Sequence, residues 1–168
     1  YSASQYVDLV FQDSDTAVAV LSGIPAEVCS AGGGDKVCGL PLDNQGIVAT
    51  RELVNGLAMT SRSVNHALVT PNVDLPQQLE QMQQMVEEVG VAGFKFYPPW
   101  GPGGEGYWLD DPKIGLPAIE KARSLGVKTI CVHKGLPLPG FDMVHTDPRD
   151  VVALAKQYPD MNFIVYHS

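Results

Sequence analysis

The chain has 168 residues, enough for one sizeable core, and 45% of them are hydrophobic, so a single folded domain over residues 1–168 is expected. Its formal charge of −8, with 11 basic residues scattered along the chain, excludes a nucleic-acid partner, because phosphate binding needs clustered Lys and Arg. No stretch approaches the roughly 20 consecutive apolar residues that would span a bilayer, so no membrane partner is expected either.

In chain order, residues 3–12 read as the tail of a helix. Ala17 to Leu21 (AVAVL) reads as a buried strand ended by Ser-Gly-Ile-Pro. The stretch Ala31 to Lys36 (AGGGDK) follows it but matches no phosphate-binding motif, so it reads as a loop. Cys29 and Cys38 are too far apart for a CxxC site and have no histidine nearby. With Cys131 the cysteines form no disulfide framework, which leaves the compartment open with the cytoplasm placed first. Ile47 to Met59 reads as a helix weakened by Gly56, followed by a strand at Ala67 to Thr70. His66 would open that strand, the end that serves stability in a barrel.

Leu75, Leu79, Met82, Val86 and Val89 form one apolar stripe, with Asp74 as N-cap and Gly90 as stop. A strand at Ala92 to Tyr97 places Lys95 and Tyr97 on one face by parity. The loop Pro98 to Asp110 (PPWGPGGEGYWLD) then carries Trp100, Tyr107 and Trp108, which could wall a pocket. Asp111-Pro112 and Asp147-Pro148 each set a capping acid before a proline suited to a first helical turn. Ile119, Ala122 and Leu125, then Val151, Leu154, Ala155 and Tyr158, are the expected buried faces of those helices. Strands at Thr129 to His133 and Phe163 to His167 each end on a histidine. His145 lies in the loop between His133 and Asp147.

Five short apolar strands alternating with helices imply right-handed crossovers and a parallel sheet. Two α/β architectures fit. One is a partial (β/α)8 TIM barrel holding about strands two to six of eight; the other is an open, doubly wound sheet serving as a non-catalytic binding domain. A whole barrel takes about 250 residues. The chain starts at Tyr1 without an initiator Met and stops at Ser168 after an apolar run, so an internal piece of a longer protein is expected.

In a barrel, chemistry sits at the C-terminal strand ends. Neighbouring parallel strands lie about 4.8 Å apart, so histidines at matched ends can reach one ion through bonds of about 2.0–2.1 Å. His133 and His167 are therefore candidate metal ligands. Lysine is rarely buried without purpose. Lys95 could form a Schiff base, bind a substrate carboxylate or, once carboxylated, bridge metals. Tyr97, Trp100 and His145 complete the candidate substrate-binding set.

With those residues placed, the chain resembles the amidohydrolase-related family, amidohydrolase family 2. The resemblance is carried by Gly93 to Pro98 (GFKFYP), Leu109-Asp-Asp before a helix, Gly126 to His133 (GVKTICVH) and Tyr158 to His167 (YPDMNFIVYH). It implies a barrel enzyme with one or two divalent metal ions, zinc first among them, and a small-molecule substrate. His133 then looks like the fifth-strand ligand, His167 like the sixth-strand ligand, and Lys95 falls on the fourth strand. The family's first-strand His-x-His pair and its eighth-strand, proton-moving aspartate have no match in these residues. The implied chemistry is hydrolysis of a C–N or C–O bond by metal-activated water, or metal-assisted non-oxidative decarboxylation. The alternatives are a metal-free lyase built on Lys95 and the binding domain above. Assembly with further copies of the chain is left open.

Overall fold

The computed structural model describes residues 2–25 and 43–167. Cys29, Cys38 and the glycine-rich stretch at 31–36 lie outside the described residues. Five parallel strands form one sheet: β1 (Ala19–Leu21), β2 (Ser63–Val69), β3 (Gly93–Phe96), β4 (Thr129–His133) and β5 (Asn162–Tyr166). Helices alternate with them: α1 (Ala3–Val7, continued by a π turn), α2 (Asn44–Ala58), α3 (Leu75–Gln84), α4 (Gly115–Ser124) and α5 (Arg149–Gln157).

The spatial order is β1-β2-β3-β4-β5. A doubly wound sheet must reverse its strand order once so that helices cover both faces. This sheet never reverses, and right-handed crossovers therefore stack the helices on one side. The result is the curled half of a (β/α)8 barrel, not the open doubly wound alternative.

Register separates two faces. Lys95 pairs with Cys131 and Leu68, while His133 pairs with Tyr166. Residues of the other parity, Ala67, Val69, Phe94, Phe96, Ile130 and Val132, are buried against the helices with Met82, Ile119, Ala122, Val151 and Leu154. Leu79, Met82 and Val86 of the stripe and the faces of α4 and α5 pack as expected, while Leu75 and Val89 are half-buried outside that core and Ala155 is exposed. The strands thus do alternate, with an apolar outer face toward the helices and a lumen face carrying His66, Lys95, Cys131, His133 and Tyr166. A plain apolar reading misses this, because Cys131, Tyr166 and the long stem of Lys95 count as hydrophobic or amphipathic in sequence. The lumen is open: Val20 and Ile164 are 47% and 45% exposed.

Several boundaries differ from expectation for local reasons. Strand β2 starts at Ser63, because Asn55 and Asn44 bind its edge: Asn55 Oδ1 accepts from Ser63 N at 2.7 Å, and Asn44 Oδ1 from Leu68 N at 2.7 Å. His66 consequently sits in mid-strand. Asp74 does cap α3, accepting from Gln77 N at 3.1 Å, and Gly90 stops the following turn at φ 74°. Asp111 instead organises a turn ahead of α4, accepting from Lys113 N and Ile114 N. Helix α2 ends on Met59, which is 91% exposed in the left-handed region at φ 51°. Met59→Gly is expected to raise stability by roughly 0.5–1 kcal/mol by removing that steric penalty. An unchanged denaturation midpoint would show that the cap is not strained.

Candidate metal centre

His133 closes β4 and is 2% exposed. Its Nε2–H donates to the Leu136 carbonyl at 2.8 Å. A carbonyl only accepts, so the neutral ring keeps its lone pair on Nδ1. Burial holds the imidazole below its ordinary pKa, outweighing the Leu136 carbonyl, which favours the protonated form; nearby Lys95 and His167 add to the lowering. Neutral imidazole is the form a metal takes.

His167 lies one residue past β5, because register pairs His133 with Tyr166. Simple alternation would send the next side chain to the opposite face. The backbone at His167 turns left-handed instead, at φ 64°, and its ring comes to 4.8 Å from that of His133, tilted by 59°. Two imidazoles bound to one ion in tetrahedral geometry have ring centres roughly 5 Å apart, given nitrogen–metal bonds of about 2.0–2.1 Å. The pair therefore fits two ligands of one divalent ion. Among the described residues no group of three His, Cys, Asp or Glu side chains could hold a metal.

Tyr97, just past β3, stacks on His133 at 5.0 Å with its ring 22° from parallel. Phe141 meets the His133 ring at 5.2 Å and 81°, so two aromatic rings hold His133, one stacked and one in a T-shaped contact. Lys95 lies in the same lumen. It is 1% exposed, and its Nζ stands 3.7 Å from the Tyr166 ring and 4.6 Å from the Tyr97 ring. That nitrogen has no hydrogen-bond partner among the described residues. Burial lowers its pKa to about 8. Burial also raises Tyr97 and Tyr166 to about 12, so both stay neutral phenols at pH 7. His66 completes the lumen: it is 5% exposed, with Nε2 3.8 Å from Cys131 Sγ and its pKa lowered by burial and then by Lys95.

The other two candidates fall elsewhere. The His145 ring packs on Trp108 at 4.6 Å, and its Nδ1 pairs with Asp142 Oδ2 at 2.7 Å. It supports the loop at 98–110: a Cβ on Gly106 would come within 2.7 Å of that same Nδ1, so only glycine fits there. Trp100 is half-buried at the start of the loop, where its carbonyl accepts from Asn72 Nδ2 at 2.9 Å. Tyr107 points into the core at 3% exposure rather than lining a pocket. A cleft of about 660 Å³ between α2 and α3 touches none of the candidate site residues.

Beneath these loops is a pair that sequence reasoning missed. Lys134 and Asp150 form an ion pair at 2.8 Å with both side chains fully buried. Lys134 Nζ also donates to the His145 carbonyl at 2.9 Å, and Asp150 Oδ2 accepts from Leu109 N at 2.8 Å. Burial pulls the Lys134 ammonium below its ordinary pKa, opposed by Asp150. The pair ties the loops after β3 and β4 to the first turn of α5, one residue from His133. The visible signal was parity: Lys134 follows an inward residue and must point outward, into the helix layer.

No curated protein matches this chain. Two solved structures are similar to it: 2,6-dihydroxybenzoate decarboxylase from Rhizobium, and 2,6-dihydroxybenzoate decarboxylase complexed with 2,6-dihydroxybenzoate. Each is 18% identical with a TM-score of 0.48, over 73% of this chain and 46% of the other. The chain thus spans under half the length of those proteins. The amidohydrolase family model matches residues 50–168, which include β2 to β5 and both histidines. The chain belongs to the amidohydrolase family.

Proposed function

We propose that His133 and His167 are two ligands of a catalytic divalent-metal centre, zinc in the first instance, in an amidohydrolase-type enzyme acting on a small molecule. The single observation that carries this reading is the pair of imidazoles 4.8 Å apart, with the His133 lone pair on Nδ1. Tyr97 and Phe141 fix the ring plane of His133, which limits the directions its lone pair can take. A bound divalent ion supplies Lewis acidity and activation of water at neutral pH. A catalytic zinc site takes three protein ligands, so at least one more comes from outside the described residues. The reaction is hydrolysis of a C–N or C–O bond, or non-oxidative decarboxylation. Lys95 and Tyr97 face substrate directly, while Trp100 and His145 act by shaping the loop over the mouth.

Metal analysis of the natural full-length protein tests the assignment. His133→Ala and His167→Ala are each expected to lower bound metal by 10-fold or more at limiting free metal, in keeping with the loss of one ligand. Unchanged metal content in both variants would sink it. A second reading rests on the unpartnered Lys95 amine, whose pKa of about 8 leaves a useful neutral fraction for a metal-free Schiff-base lyase. Borohydride reduction in the presence of a carbonyl substrate would then trap a covalent adduct at Lys95, and metal removal would leave activity intact.

A further inference from the structure

We infer that Lys95 is the seat of a substrate carboxylate that is not itself the reacting group, an inference resting on the metal reading above. An ammonium buried to 1% exposure ordinarily carries an acid partner or a set of acceptors. Among the described residues Lys95 has neither. Its Nζ makes no hydrogen bond to them and stands over the rings of Tyr166 and Tyr97, at 3.7 Å and 4.6 Å. Cation–π contact offsets part of the desolvation and leaves the N–H groups unused. The stem starts at the level of Cys131, its register partner, and the head rises to rings that flank His133, since Tyr97 stacks on His133 and Tyr166 is its strand partner. An anion accepting from Lys95 would therefore lie beside the histidine pair.

The same geometry bears on the choice of chemistry. Loss of CO2 moves negative charge out of the carboxylate and into the carbon skeleton. A buried ammonium fixed on that carboxylate stabilises the ground state more than the transition state and slows the step. A carboxylate held by Lys95 is thus a handle that orients the substrate, and the bond broken at the metal is a different one.

Calorimetric titration of the metal-loaded full-length protein with benzoate and acetate, each against its neutral amide, tests this. The expected result is about 10-fold tighter binding of the carboxylates, the size of one charge-assisted hydrogen bond. Lys95→Gln should erase that preference while leaving amide binding within about threefold, and Lys95→Arg should keep part of it. His133→Ala should keep the preference intact. Equal binding of acid and amide by the wild type, or a preference surviving Lys95→Gln, overturns the inference. A preference lost in His133→Ala with Lys95 present overturns it too, because the carboxylate would then sit on the metal. Metal content measured on the same samples separates the two proposals: unchanged metal in His133→Ala and His167→Ala removes the metal reading and the inference with it, whereas a preference surviving Lys95→Gln while the histidine variants lose metal removes the inference alone.

Discussion

Asp150→Ala is expected to destabilise the protein by about 3–5 kcal/mol, the cost of leaving one partner of a buried ion pair alone. The Lys134 ammonium would remain fully buried with only the His145 carbonyl as acceptor, and Leu109 N would lose its partner inside the core. Both losses fall on the same loops, so they should appear together in one unfolding transition. The double variant Lys134→Met with Asp150→Asn separates charge from packing. It removes both charges while the asparagine oxygen still accepts from Leu109 N. Recovery to within about 1–2 kcal/mol of wild type is expected, since buried ion pairs are commonly replaceable by neutral groups of similar volume. Urea denaturation of the full-length protein measures both. A loss under about 1 kcal/mol for Asp150→Ala would show that the pair does not secure the loops.

Lys95→Met should have the opposite sign, raising stability by on the order of 2 kcal/mol at pH 7. The lysine pKa is about 8 in the folded chain against 10.5 for the free side chain. Each pKa unit corresponds to about 1.4 kcal/mol, and burial of the charge is the dominant cause. Below about pH 8 the lysine is protonated whether folded or unfolded, and the folded state carries the full desolvation penalty. Between pH 8 and 10.5 the folded amine is already neutral while the unfolded one is still charged, so the penalty shrinks with rising pH. Above 10.5 it is gone. The electrostatic advantage of Lys95→Met is therefore full at pH 7 and absent near pH 11. Methionine fills the stem's place with an unbranched side chain of similar reach. A variant less stable than wild type at pH 7 would mean that Lys95 has an acid partner in the full-length protein, which would also remove the free ammonium from the carboxylate proposal. A gain at pH 7 together with lost carboxylate preference would mark Lys95 as a residue kept for function at a cost in stability.

These two lysines show how far the sequence reaches. Lys95 stood out because it lies in an apolar strand on the same face as Tyr97, where a lysine is rarely buried without purpose. Lys134 carried the same parity information with the opposite sign, yet its partner Asp150 is 16 residues on, where an acid in a first helical turn reads as an ordinary helix start. His133 was placed correctly at the end of its strand. His167 was placed one residue too early in the regular structure, because a left-handed turn at a non-glycine residue leaves no trace in an apolar pattern.

The sequence alone determined the order and type of the elements, since apolar runs, N-capping acids and helix stops are local signals set by steric and hydrogen-bond rules over a few residues. It determined as well that two histidines recur at the same end of neighbouring strands. Strand order, which chose the half-barrel over the doubly wound sheet, was decided only in three dimensions, because each βα unit could have been laid on either side of the last with equal local satisfaction. The tertiary structure alone also brought His167 back to His133, set Lys95 between Tyr97 and Tyr166, and turned His145 away to brace Gly106 and Trp108. Those outcomes depend on contacts between residues distant in sequence, where the burial of a charge or a ring outweighs any preference of the chain nearby.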